Sequence, residues 1–196
     1  MKSTRLASLL LLLISLVSAD AGDGKAIKPL KDAQGSQGRT PGEMLSKPFE
    51  LALLSPVQIA GKDAAIGGLR LNLIYGTNAN IRGIDLGLLN DSQGDGCGIE
   101  FGFSNSVGGR YSGLQGGVVT FVNSDFKGVQ ASFLNVVRGT QSGIQFGTVN
   151  YAAQLGGLQV GLFNVAGSMK GVQIGLINTN RNSGGLPFVP LINIAL

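Results

Sequence analysis

The chain has no histidine and no tryptophan, a single cysteine, and only 13% charged residues. Each shortage removes a class of chemistry. Without histidine there is no Ser-His-Asp or Cys-His nucleophile, no imidazole base and no imidazole-held metal. One thiol, Cys97, excludes an intramolecular disulfide framework and a four-thiolate zinc site. Aromatic residues amount to 6%, few for the paired girdles of a membrane barrel. Apolar residues reach 43%, which argues against a solvated, disordered chain. Glycine is abundant instead, with 32 among 196 residues, a length that suits one domain or one domain with a tail.

Residues 1–19 have the three parts of a secretory signal. Lys2 and Arg5 precede the apolar run LASLLLLLISLV (6–17), and Val17-Ser18-Ala19 offers small residues to a signal peptidase, so cleavage before Asp20 is expected. The run is shorter than the ~20 residues of a bilayer span, and no cysteine follows it for lipid attachment. Loss of Lys2 and Arg5 takes 15 basic residues to 13 against 11 acidic, a net of +2, too weak a field for a general nucleic-acid or membrane-surface argument. Residues 20–48, rich in Gly, Pro, Ser, Gln and mixed charge with no apolar period, read as a flexible linker.

From Gly68 the chain repeats itself. Glycines 68, 83, 98, 113, 128, 143, 157, 171 and 185 open nine units, spaced by 15 residues five times and then by 14 three times. The clearest are GIQFGTVN (143–150), GLQVGLFN (157–164) and GVQIGLIN (171–178). Each reads glycine, apolar, polar, apolar, glycine, two further residues, then asparagine. Alternation with period 2 predicts strands, with Leu158, Val160 and Leu162 on one face and Gln159 and Gly161 on the other. Asparagine then opens a turn.

Two architectures use such a unit. One is a β-solenoid with 14–15-residue coils, in which equivalent positions stack. The other is a small closed outer-membrane-type antiparallel β-barrel with one strand per unit. Barrel strands alternate in direction and predict a two-unit period in the turns. None is visible, so the all-β solenoid is favoured. Stacking then makes columns. The polar position reads Arg70, Asp85, Glu100, Gln115, Gln130, Gln145, Gln159 and Gln173, and its glutamines are expected to form an amide ladder along a solvent face. Asn90, Asn105, Asn135, Asn150, Asn164 and Asn178 form a second ladder at a corner, broken by Tyr75 and Thr120. The apolar alternates, Val160 among them, are expected inside, although so many per unit must send some outward. Residues 49–67 read as an N-terminal cap, 68–184 as the β repeats and 185–196 as a C-terminal repeat or cap. Pro187 and Pro190 would there stop one molecule from templating another.

The opener GLRLNLIYGTNANIRGIDLGLLN (68–90), the Gly-φ-Gln-φ-Gly-φ-φ-Asn units and the proline-bearing close together resemble a family of bacterial exported surface-repeat proteins, over residues 50–196. The resemblance implies export and a place in the cell envelope, at the outer membrane or the cell surface. It carries over no functional residue, because the family has no established biochemical activity.

Several residues are candidates for chemistry. Asp85 and Glu100 share a column one unit apart, close enough when stacked to share a proton or hold a cation. A solvated face, with Arg70 offsetting the charge, is the preferred reading. The segment DSQGDG (91–96) places Asp91 and Asp95 among glycines but lacks the ligand spacing of a calcium loop, and reads as a turn. Cys97 reads as apolar filler or as a free thiol for intermolecular linkage. After Asp125 the only charges are Lys127, Arg138, Lys170 and Arg181, placed in turns, which suggests either a basic edge for anionic headgroups or surface polysaccharide, or plain solubilising charge. No catalytic, cofactor-binding or metal-ligating residue is assigned, and no cofactor or nucleic acid is expected. The sequence therefore points to a non-enzymatic exported envelope or surface repeat protein with a structural or interaction role. Its partner would be an envelope component, lipid headgroup or surface polysaccharide, or another protein. A barrel acting as anchor or narrow pore is the alternative, and a carboxylate-dependent polysaccharide-cleaving solenoid a third reading.

Overall fold

The computed structural model describes residues 47–54, 57–58, 63–182 and 188–195. The expected signal peptide, the linker as far as residue 46, Gly185 and Pro187 lie outside the described residues. Among the described residues there are twelve strands and no helix. The first half of the chain supplies β1 (Lys47–Leu54), β2 (Val57–Gln58), β3 (Ala65–Asn78), β4 (Asn80–Ser92), β5 (Gly96–Val107) and β6 (Tyr111–Val122). The second supplies β7 (Phe126–Phe146), β8 (Val149–Leu155), β9 (Leu158–Val160), β10 (Phe163–Met169), β11 (Gly171–Asn180) and β12 (Val189–Ala195).

From β3 to β11 every pairing is parallel and joins residues one repeat apart, as in Gly83 with Gly98, Ile99 with Leu114 and Gln115 with Gln130. Each coil therefore lies on the previous one, and the chain winds a β-solenoid of about eight turns. The strand path is open, running from β12 at one end to β1 and β2 at the other. A barrel requires antiparallel neighbours and closure of first strand on last. Neither is present, so the barrel alternative is set aside. The unit from Gly113, irregular in sequence, keeps its register on both sides.

The opening glycines are explained by close stacking. Gly98 and Gly113 take φ of 124° and 142°, and a Cβ on Gly113 would stand 2.0 Å from the carbonyl oxygen of Gly98. Only glycine permits both the backbone conformation and the approach of one coil to the next.

The assignment of faces from sequence is reversed in the structure. Gln115, Gln130, Gln145, Gln159 and Gln173 are all fully buried, whereas their apolar neighbours Leu114, Phe146 and Ile174 are exposed. Period 2 separates two faces but does not say which is inside. The glutamines can be inside because the repeat hands each one an identical partner one coil away. Gln130 Nε2 donates to Gln115 Oε1 at 3.0 Å, Gln145 to Gln130 at 2.9 Å, Gln159 to Gln145 at 2.7 Å and Gln173 to Gln159 at 2.8 Å. Burial of an amide without such partners costs about 1–3 kcal/mol. The asparagine column is buried too and runs in the opposite sense. Asn135 donates to Asn150, Asn150 to Asn164 and Asn164 to Asn178, each at 2.8 Å. The second N–H of Asn150 reaches the Val160 carbonyl, and that of Asn164 the Ile174 carbonyl. Thr120 stays in the column, its hydroxyl donating to Asn135 Oδ1 at 2.8 Å. Tyr75 is outside it because β3 bulges between Asn72 and Tyr75, so that Gly76 faces Asn90 and Asn72 donates to Asn90 Oδ1 at 2.9 Å.

The remaining interior is apolar but thin. Val107, Tyr111, Val122, Phe126 and Val137 form one cluster, with the Tyr111 and Phe126 rings stacked at 5.7 Å. Ala152, Leu155, Ala166 and Met169 form another. Between them Gln141 is fully buried, with neither Oε1 nor Nε2 hydrogen-bonded. At the C-terminal end β12 runs antiparallel to β11, and Asn193 Nδ2 donates to Gln173 Oε1 at 2.9 Å, completing the glutamine ladder. Pro190 lies in β12 where its register on β11 shifts, beside Leu191 at φ 67°.

Candidate functional site

Two features stand out for chemistry, one sealed and one open. The sealed one is the ionic end of the glutamine column. Glu50 of β1 pairs with Arg70 of β3, Arg70 with Asp85 of β4, and Asp85 with Glu100 of β5. All four are buried. Arg70 grips Asp85 with a two-pronged fork, Nε to Oδ1 at 2.8 Å and Nη2 to Oδ2. Its Nη1 donates to Asn78 Oδ1 at 3.0 Å and to the Asp91 carbonyl at 2.9 Å. Gln115 Nε2 donates to Glu100 Oε2 at 2.5 Å, while Glu100 Oε1 receives no hydrogen bond. Burial first, and the neighbouring Asp85 carboxylate second, push the Glu100 carboxyl up to about 8. At neutral pH it therefore holds its proton, which spares the column a second buried negative charge beside Asp85.

Sequence reasoning had paired Asp85 with Glu100 and preferred a solvated face. The structure does bring them into one column, but inside. Asp85 and Glu100 are 1% and 2% exposed, so nothing in solution reaches either carboxyl. Glu50 was missed. Its segment, Pro48-Phe49-Glu50-Leu51-Ala52-Leu53, is a repeat unit with proline in the glycine column, since a Cβ on Gly68 would stand 2.1 Å from the Pro48 carbonyl oxygen. The alternation was readable. The longer interval from Pro48 to Gly68 hid it.

The other weighed residues fall apart spatially. Asp91 Oδ2 accepts from Thr77 Oγ1 at 2.9 Å, and Asp95 Oδ1 from the Arg110 main-chain N–H at 2.8 Å. Both carboxylates thus tie one coil to the next, as a turn requires. Among the described residues no group of three or more acidic, thiol or imidazole side chains is gathered for a metal. Cys97 is a partly exposed free thiol between Arg82 and Ser112. The four late basic residues do not form one edge. Lys127 and Arg138 lie within β7, not in turns. Arg138 stands over the Phe121 ring at 4.8 Å, and Arg181 follows Asn180, which stacks through Ala166 and Ala152 on Val137. Lys127 stacks on Ser112 in the column that holds Arg82 and Cys97. Lys170, which precedes Gly171 as Lys127 precedes Gly128, continues that column.

The open feature is the outer face of the strand that follows each opening glycine. Three outward columns lie side by side there, as Ile99, Phe101 and Phe103 show in β5. Across the eight rows from Leu69 to Leu176 these columns hold 24 positions, none charged, and only Thr148 has a hydrogen-bonding side chain. Phe103 is 58% exposed, Phe133 60% and Leu176 58%. With rows ~4.8 Å apart and columns ~6.6 Å apart, the wall measures roughly 40 by 13 Å. Toward the C-terminal end, where Ala131 and Thr148 are short, it dips into a groove of about 980 Å³ bounded by Phe133, Phe146, Leu176 and Leu191. No protein-family model, no curated protein and no solved structure matches this chain.

Proposed function

We propose that this is a non-enzymatic, exported cell-envelope protein with a structural or interaction role, and that the apolar wall is its working surface. One observation carries the reading. A soluble monomer rarely exposes a contiguous apolar patch above a few hundred Å², and here a charge-free wall of that size or more is held outward by a core that does not need it. The ionisable groups whose chemistry is perturbed are shut inside, so their work is structural. The export signal at residues 1–19 and the resemblance to exported surface-repeat proteins support the address. The test is cell fractionation of the expressed protein and of a Phe101→Ser, Phe103→Ser, Phe146→Ser variant. Both should be exported with Asp20 as the first residue. The native protein should stay with the envelope fraction and the variant should be released in soluble, folded form. Equal retention of the two would refute the wall as the working surface.

A further inference from the structure

The border of the wall has a single sign of charge. The column that flanks it on the glycine side contains Arg82, Lys127 and Lys170, all exposed, together with uncharged Cys97, Ser112, Ser142 and Gly156. No acidic residue stands in that column. The exposed Asp95 and Asp125 stand in the next outward column, two residues before Cys97 and Lys127. Asp91 and Asp95 are engaged as above, and Asp125 Oδ1 accepts from the Thr140 main-chain N–H at 2.8 Å. The column on the opposite border, which includes Ser104, Val119 and Leu134, is uncharged. An apolar plane whose border columns carry only basic charges suits an anionic bilayer. The plane enters the acyl boundary while the lysine and arginine stems reach back to the headgroups.

We infer that the solenoid docks flat on an anionic lipid surface, with the wall of β3 to β11 as the inserted face and Arg82, Lys127 and Lys170 as the headgroup contacts. The inference rests on the wall being the working surface and names what covers it. Charge complementarity selects lipid over a second copy. In face-to-face packing with the solenoid axes antiparallel, the basic border of one molecule would oppose that of the other. With axes parallel, it would oppose a border that carries no acid. Neither arrangement gives the three cations a partner. An anionic membrane does.

The test is flotation of the purified protein with phosphatidylcholine vesicles, with and without phosphatidylglycerol, alongside sedimentation velocity in lipid-free buffer. All proteins tested begin at Asp20 and share residues 20–46, so any contribution of that segment is common to them. Native protein should float with the anionic vesicles and less with the neutral ones. Replacement of Arg82, Lys127 and Lys170 by Gln should weaken binding to anionic vesicles by roughly 100-fold and leave neutral-vesicle binding unchanged, since each cation near such a surface contributes about fivefold. The triple Phe→Ser variant should bind neither. If that variant fails to fold, as judged by circular dichroism, the Gln variant on the exposed border still decides. Native protein that dimerises with concentration, does not float, and becomes monomeric in the Ser variant overturns the lipid assignment and leaves the wall as a protein interface. Native protein that neither floats nor self-associates overturns both readings.

Discussion

Replacing Glu100 by glutamine should make the protein more stable, and by an amount set by pH. The buried carboxyl has an ordinary value of 4.5 and is held at about 8 in the folded chain. Below the lower value it is protonated both folded and unfolded, and the two proteins should differ little. Between the two values the folded chain keeps a proton that the unfolded chain has released, so stability falls as pH rises. Above about 8 the loss is complete. The gap, at about 1.4 kcal/mol per decade of proton activity, gives an upper figure of ~5 kcal/mol. Glutamine removes this dependence without breaking a contact, because its oxygen can accept from Gln115 and its amide can donate to Asp85. Asp85→Asn should do the opposite. It strips the buried Arg70 fork of its counter-charge and should cost about 3–5 kcal/mol at any pH where Asp85 is ionised. Urea denaturation of the three proteins from pH 4 to 9, followed by circular dichroism, gives the curves. Parallel pH profiles for native and Glu100→Gln proteins would show that Glu100 is not the titrating group.

Two further substitutions separate the roles of buried and exposed positions. Gln145→Ala removes the donor to Gln130 and to the Tyr151 carbonyl and the acceptor for Gln159, so it should lose about 3 kcal/mol or more, while Phe146→Ser next to it, on the outer wall, should lose less than about 1 kcal/mol in lipid-free buffer; equal losses in urea titrations would refute the inverted core. Gln141→Leu should raise stability by about 2 kcal/mol, because this glutamine is buried in the apolar column with both polar atoms unpartnered, and a fall in the unfolding midpoint would mean that the amide has a partner.

The contrast between Gln141 and Gln145 also shows where sequence reading stops. The solenoid, its 14–15-residue coil and the columns were legible, because stacking repeats a side chain at a fixed interval and strand alternation sorts neighbours into two faces. The direction of the faces was not. An apolar-inside rule assigns Val160 to the core and Gln159 to water. It fails when a repeat gives every buried amide an identical partner one coil away. That signal was present as the unbroken run of glutamines, which solvent exposure would not require. Glu50 escaped because its unit starts with Pro48 and is separated from Gly68 by a longer segment. The basic border escaped because Lys127, Arg138, Lys170 and Arg181 follow one another along the chain, yet the register divides them between two columns.

The two ladders and the wall belong to one design. Glutamine donors point to the earlier coil and asparagine donors to the later one, so the two columns of amide dipoles oppose and largely cancel. Each coil is fixed to its neighbours by directional bonds that demand register, and the apolar clusters around Phe126 and Leu155 need only fill what is left. Such a core leaves the wall residues unnecessary for packing. The most exposed of these uncharged side chains, Phe103, Phe133, Phe146 and Leu176, then add little to folding, and expose the protein to association through this side. They become favourable only when something apolar covers them. Docking would do more than bury the wall. Excluding water beside the strands lowers the local dielectric and strengthens the hydrogen bonds behind them, and a surface bound by the folded chain alone stabilises that chain by mass action. The same inversion that fills the interior with amides thus leaves the apolar side chains on the outer face, where the proposed docking would cover them.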